Sequence, residues 1–159
     1  MLKRILFFLL VLSALSQAAI SVTVLPKQGG ANVNFNAEVD SGFYGGEEGT
    51  IILTIDRSGA DLLNKRNVYV RMDQWIGQEN FRLQDGDLQW KVYYCNTYEG
   101  GEISGQPADW SAYTARESRA FTLDSAPKHV IEIGTMLRRV PSVQPNGVYN
   151  TNIEFYVDQ

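Results

Sequence analysis

The stretch FRLQDGDLQWKVYY, residues 81–94, decides the fold of this chain. Apolar and polar residues alternate on both sides of Asp85-Gly86, which is the period of strands with one buried face. Asp-Gly between two such runs is typical of a β-hairpin, because glycine adopts the positive φ that a tight turn needs. We therefore predict a strand on each side of this turn, and we expect Trp90, like Trp75 before it, to lie in the core.

The same two-residue period recurs along most of the chain. The other predicted strands are Ile20–Val24, Val33–Val39, Thr50–Asp56, Val68–Met72, Arg119–Leu123, His129–Met136 and Val148–Val157. Turn residues separate them, and Ala60–Lys65 is the one segment with the composition of a helical turn. About nine short strands at this spacing predict an all-β fold, an immunoglobulin-like two-sheet antiparallel β-sandwich.

Residues 1–18 have the layout of a secretory signal peptide. Lys3-Arg4 is a short positive region, Ile5–Leu12 is an uninterrupted apolar block, and Ser16 and Ala18 occupy the −3 and −1 positions of a cleavage site. The apolar block is shorter than the roughly 20 residues that cross a bilayer, so we expect no stable transmembrane anchor. An uncleaved N-terminal anchor is the less favoured alternative.

The sequence therefore predicts residues 19–159 to be one exported domain that is secreted, periplasmic or displayed at the cell surface. With 44% hydrophobic and 11% aromatic residues, the chain has the composition of an ordered globular protein. The formal net charge of −4, with no basic run, disfavours nucleic acid as a partner, because phosphates would be repelled.

Motifs for catalysis and cofactor binding are missing from the sequence. The single histidine, His129, and the single cysteine, Cys95, do not make a zinc site of the usual spacing. Neither a G-x-S-x-G elbow nor a phosphate-binding or dinucleotide motif is present. We predict a non-enzymatic protein with no metal or cofactor.

Cys95 leaves three alternatives in an oxidising compartment: a link between molecules, a free thiol or a small buried hydrophobe. We favour the last, because unpaired cysteine is among the most buried residue types. In each case the fold has no internal disulfide, and packing must hold it together.

The end of the chain resembles a group of bacterial secreted proteins. QPNGVY at residues 144–149 precedes IEFYV at residues 153–157. A P-x-G-x-Y turn followed by a last strand of alternating apolar residues is similar to the ending of secreted immunoglobulin-like domains, among them chaperone–usher pilin subunits and spore-coat-U-like proteins. The resemblance implies a sandwich fold and a role as a subunit of a surface appendage or coat.

Two segments are candidates for contact with a partner. Ile20, Val22 and Val24 precede a flexible Gln28–Gly30 hinge, so this strand could detach and pair with a neighbouring subunit by strand addition. The alternative, which we favour for the strand by itself, is an ordinary edge strand folded back on its own domain.

The second candidate is the long stretch Asn96–Glu117, predicted to be irregular. Its rings Tyr98, Trp110 and Tyr113 are suited to stacking on a sugar or to anchoring a protein partner. The competing interpretation is that Trp110 plugs the open end of the sandwich. The leading functional hypothesis is a structural and interaction module that assembles through sheet edges, and the alternative is a carbohydrate- or ligand-binding module that uses this loop.

Removal of the leader is directly testable. Expression with the complete leader in a bacterial host with an export pathway should give a mature chain that begins at Ala19. N-terminal sequencing and intact mass measure this, and exported protein that still begins at Met1 would contradict it.

Overall fold

The computed structural model describes residues 20–30, 33, 48–58, 62–73, 84–138 and 151–158, and these contain β-strands and no helix. The strands are β1 Ser21–Pro26, β2 Glu48–Asp56, β3 Arg66–Met72, β4 Leu88–Cys95, β5 Ile103–Ser104, β6 Ser111–Ala112, β7 Ser118–Leu123, β8 Lys128–Leu137 and β9 Ile153–Val157. Within these ranges no helix exists that is long and apolar enough to span a membrane.

The strands form two antiparallel sheets. The five-stranded sheet has the order β1-β2-β8-β4-β6, and the four-stranded sheet has the order β5-β7-β3-β9. From β4 to β8 the chain changes sheet at every step, so the two layers are linked repeatedly. This arrangement confirms the predicted all-β, two-sheet antiparallel sandwich.

The longest pairing in the molecule joins β2 to β8. Their register runs without interruption from Glu48↔Met136 to Asp56↔Lys128. Residues directly opposite in an antiparallel pair point to the same face, so the apolar positions of both strands enter the core together.

The core lies between the two sheets and follows the two-residue period. Burying each large apolar side chain contributes about 1.5–3 kcal/mol to the free energy of unfolding. The buried apolar residues include Ile51, Leu53 and Ile55 of β2, Ile131 and Ile133 of β8, Leu88 and Trp90 of β4, Val68, Val70 and Met72 of β3, Phe121 and Leu123 of β7, and Phe155 of β9.

The Asp-Gly turn has the predicted backbone. Gly86 has φ of +88°, and the Asp87 carboxylate accepts a hydrogen bond from the Gln84 N–H at 2.8 Å. β4 begins directly after this turn, and Trp90 is buried at 2% exposure, as predicted. The strand predicted before the turn lies outside the described residues, as does Trp75.

Two local predictions need correction. The described part of Ala60–Lys65, residues 62–65, contains bends and no helical turn. Asn96–Glu117 is not irregular throughout, because β5 pairs with β7 and β6 pairs with β4. These two-residue strands give the crossing chain partners for its backbone groups, which burial against the sheets requires. Of the predicted strand Val33–Val39, only Val33 is described, and it packs against the core.

A buried hydrogen bond joins the loop before β7 to the five-stranded sheet. The Tyr113 and Thr135 hydroxyl oxygens are 2.9 Å apart, and both residues are buried. The Tyr113 ring also packs against Trp90, with ring centroids 6.4 Å apart. Burial raises the pKa of Tyr113 far above its ordinary value, so the phenol stays protonated and retains its hydrogen-bonding proton.

We expect Tyr113→Phe to lower the free energy of unfolding by about 1–3 kcal/mol, because Thr135 then keeps a buried hydroxyl without its partner. Thr135→Val should have a similar cost. The double variant should lose less than the sum of the two single variants, since it removes both ends of the bond. Urea unfolding of the three variants measures this, and strictly additive losses would contradict a direct bond.

Candidate functional site

The open side of the sandwich is formed by one edge strand from each sheet. Among the described strands, β1 pairs only with β2, and β9 pairs only with β3. An open groove with a volume of about 540 Å³ runs along these two edges. Its described lining consists of Val22, Val24, Arg71, Glu117, Ile153, Glu154, Phe155 and Tyr156.

β1 supplies one apolar wall of this groove. Val22 and Val24 lie opposite Ile55 and Leu53 of β2, so their side chains point between the sheets. Val24 nevertheless stays 38% exposed, because the sandwich is open beside it. Ile20 and Val22 are partly buried against the core. The structure therefore places the first candidate segment as an edge strand on its own domain.

β9 supplies the opposite wall, with apolar and charged parts. Phe155 is buried and Ile153 is partly buried, and both face the core. On the outer side, the Arg71 guanidinium lies 2.6 Å from the Glu154 carboxylate, and both side chains are about half exposed. The edge thus combines an apolar inner rim with a charged outer rim.

Beside this ion pair, the Tyr156 ring stacks on Tyr69 with centroids 5.6 Å apart. Desolvation, together with the nearby Glu117 carboxylate, raises the pKa of Tyr156 to about 12. The phenol is therefore neutral at physiological pH, and its ring acts here as a packing group.

A glycine hinge follows β1. Gly29 and Gly30 have φ of +86° and +84°, in the left-handed region that other residues enter only with strain. No heavy atom lies within 4 Å of the position of a β-carbon at either residue. Backbone conformation, and not side-chain packing, therefore sets the direction in which the chain leaves β1.

The aromatic loop does not bring its three predicted contact residues together. Tyr98 is 96% exposed in the turn after β4. Trp110 is partly buried and contacts Tyr93 edge to face, with centroids 6.0 Å apart and planes at 85°. Tyr113 is completely buried and is a core residue, which corrects its assignment to the contact surface. Among the described residues, Trp110 and Tyr98 make no ring contact with each other.

The structure reveals an aromatic surface that the sequence pattern misses. The register of β4 against β8 shifts between Val92 and Tyr94, so two successive residues stand opposite one. As a result Tyr93 and Tyr94 are both exposed on the outer face of the five-stranded sheet, at 42% and 48%. Strict alternation would have put Tyr94 on the core side with Trp90.

The bulge also sets the position of Cys95. The residue lies opposite Ile131 and packs against the core, and its thiol donates to the Gly101 carbonyl at 3.3 Å. Burial raises the pKa of the Cys95 thiol, so the thiol is protonated at neutral pH. These contacts favour the interpretation of Cys95 as a small, partly buried hydrophobe.

His129 belongs to a polar cluster at the end of the sandwich where β1 begins and β9 ends. Its side chain is fully buried, and its Nε2 lies 2.8 Å from Asp124 Oδ1. The other carboxylate oxygen of Asp124 accepts the Glu102 N–H at 2.9 Å. Arg57, also buried, donates to the carbonyl oxygens of Asp124 and Asn64 at 2.6 and 2.7 Å. This cluster links the β2–β3, β4–β5 and β7–β8 connections and forms a structural joint.

The cluster should make stability depend on pH. Burial lowers the pKa of His129, and the Arg57 guanidinium adds to this, against the opposing effect of Asp124. Burial alone would raise the pKa of Asp124, but its three hydrogen bonds outweigh this and lower it. Between its folded pKa and the ordinary value of 6.5, His129 binds a proton in the unfolded chain and not in the folded one.

The free energy of unfolding should therefore be highest above pH 6.5 and should fall as the pH is lowered through the window below it. Each unit of difference in pKa corresponds to about 1.4 kcal/mol. Asp124 should add a further loss below pH 3.8. Urea unfolding at pH 8 and pH 5 measures the first step. The His129→Gln variant has no imidazole to protonate, so its free energy of unfolding should differ less between the two pH values. An unchanged difference would contradict His129 as the group that causes this pH dependence.

Comparisons with protein-family models, curated proteins and solved structures find no match to this chain. Its function must therefore be inferred from its own residues. Two described surfaces are suited to binding a partner or ligand. They are the groove between the β1 and β9 edges and the aromatic outer face of the five-stranded sheet.

Proposed function

We propose that the protein is an exported, non-enzymatic structural module that self-associates by exchanging its first strand. The observation that supports this proposal is the position and exposure of β1. It is an edge strand with partly exposed inward side chains, next to an open groove and followed by a glycine hinge.

Exchange conserves the contacts that hold β1. A β1 strand from a second copy would repeat the register from Ser21↔Asp56 to Pro26↔Ile51, and would return Val22 and Val24 to the same inward-facing positions. The free-energy difference between the closed and exchanged forms is then confined to the hinge and to the new contacts between copies. This is why exchange of an identical element is a low-cost route to dimers.

The open groove offers the exchanged form an additional contact. Exchange joins the two copies, so a further contact between their surfaces becomes effectively intramolecular. The apolar rim of Val24 and Ile153, with the Arg71–Glu154 pair beside it, can then pack against the equivalent surface of the second copy. An edge that is covered in this way is also protected against pairing with unrelated strands.

The export leader predicted at residues 1–18 and the resemblance of the last strand to secreted immunoglobulin-like domains, both inferred from the sequence, support a setting outside the cytoplasm. A subunit of a surface appendage or coat is the role that combines export with assembly through sheet edges. In such a role the partner is another copy of this chain or a related subunit.

The alternative function, carbohydrate binding by the loop, has less support in its original form. Tyr113 is buried, and Tyr98 makes no ring contact with Trp110 in the described part of the chain. Exposed aromatic rings are found instead on the outer face of the five-stranded sheet.

Strand exchange predicts that protein lacking residues 19–30 binds a labelled peptide of the same sequence. Peptide with Val24→Asp should bind at least tenfold more weakly, because a carboxylate would enter the apolar space opposite Leu53. Peptide with Thr23→Asp, whose changed residue faces solvent, is the matched control and should bind like the unaltered peptide. Fluorescence anisotropy measures the three affinities.

A full-length experiment covers the case in which the truncated protein does not fold. With Cys95→Ser as background, Val22→Cys and Ile55→Cys place two cysteines directly opposite each other in β1 and β2. Oxidised monomer should remain monomeric at high concentration in size-exclusion chromatography, whereas the reduced form should associate. Equal behaviour of the two forms, or a monomer in both, would refute exchange.

A further inference from the structure

We propose that the outer face of the five-stranded sheet is a binding site for a neutral carbohydrate chain, formed by Tyr93, Tyr94 and Trp110. This site is separate from the groove between β1 and β9, and the proposal does not depend on strand exchange.

The backbone builds the site by breaking the alternation of β4. The bulge between Val92 and Tyr94 turns two successive tyrosines to the outer face. Under the first of them lies Gly134 of β8, where a β-carbon would overlap the Tyr93 ring. The absence of a side chain at Gly134 therefore lets the ring lie close against the sheet.

Trp110 fixes the other side of the site. Its ring meets Tyr93 at 85°, so the two aromatic planes are nearly perpendicular. Tyr94, in the adjacent position, adds a third ring that is 48% exposed. Tyr93 and Trp110, whose rings contact each other, lose little conformational entropy when a ligand stacks on them, because their orientation is already restricted.

Charged groups flank the rings in oppositely charged pairs. Lys91 Nζ lies 3.7 Å from Asp109 Oδ1 on one side. On the other side, the Lys27 ammonium contacts the Glu132 carboxylate at 2.7 Å, and Glu132 lies directly opposite Tyr94 in the sheet. The site thus offers hydrogen-bond donors and acceptors at the edges of the rings, while the charges of the two pairs balance.

This combination fits a neutral sugar chain better than other ligand classes. Pyranose rings have an apolar C–H face that packs on aromatic rings and a rim of hydroxyls that hydrogen-bond to charged side chains. Balanced charge gives no electrostatic preference for an anionic ligand.

A protein partner is a poorer fit because the apolar surface is small. At about 200 Å² for each aromatic side chain, the exposed parts of Tyr93 and Tyr94 together offer roughly 180 Å². A stable protein interface buries about 800 Å² on each partner.

The test uses the full mature protein and four neutral oligosaccharides: cellohexaose, chitohexaose, maltohexaose and mannohexaose. Isothermal titration calorimetry in 0.5 M NaCl should show binding of at least one of them. Tyr94→Ala should weaken that binding at least tenfold. Tyr98→Ala, which removes an exposed tyrosine in the turn after β4, is the matched control and should leave the affinity unchanged.

Tryptophan fluorescence provides a second readout in the same titrations. The bound sugar should shift the emission of the protein, and Trp110→Phe should remove the shift while far-ultraviolet circular dichroism confirms that the fold is intact.

Three results would overturn the proposal: no binding of any of the four sugars, equal loss of affinity in Tyr94→Ala and Tyr98→Ala, or binding only to an anionic polysaccharide such as heparin that disappears in salt. None of these results bears on self-association, which is tested independently by the disulfide between Val22→Cys and Ile55→Cys.

Discussion

The uninterrupted pairing of β2 with β8 is the constraint on which the rest of the structure depends. The nine consecutive residue pairs place the side chains of Ile51, Leu53 and Ile55 of β2 and of Ile131 and Ile133 of β8 in the core. A shift of one residue would turn all of them to solvent, so the register is strongly determined. β1 on one side and β4 on the other inherit their register from this pair, and with it the faces that their side chains occupy.

The two candidate surfaces lie where the regular pairing seen between β2 and β8 is interrupted. Among the described strands, the five-stranded sheet ends at β1, where side chains that point inward remain partly exposed. At β4 one extra residue in the strand places Tyr94 outward and Cys95 inward, which exchanges an aromatic ring for a thiol in the core-facing row. Gly134 then provides the space in which a neighbouring ring can lie. A few local departures from the two-residue period therefore account for most of the distinctive surface chemistry of the described residues.

The strands and much of the core could be predicted because period-two alternation is a local property of the sequence. Trp90, the Asp85-Gly86 turn and the strand that contains His129 all follow from it. The bulge could not be predicted, because it is defined by the partner strand and not by the residues of β4. Nor could the burial of Tyr113, since it depends on Thr135, a residue distant along the chain that the sheet brings opposite Trp90. The candidate site was predicted less well than the fold because the exposure of a side chain depends on residues that are distant along the chain.

The polar joint of Arg57, Asp124 and His129 marks the end of the sandwich at which β1 starts and β9 finishes, so the described chain enters and leaves at one pole. Tension applied through residues 20 and 158 would therefore act on the same end of both edge strands. Antiparallel strands pulled in this geometry separate one hydrogen bond after another, at low force, whereas strands pulled from opposite ends must break many bonds at once. A fibre that carried its load through these two chain ends would therefore yield at low force, whereas exchanged β1 strands would carry the load from subunit to subunit through the glycine hinge.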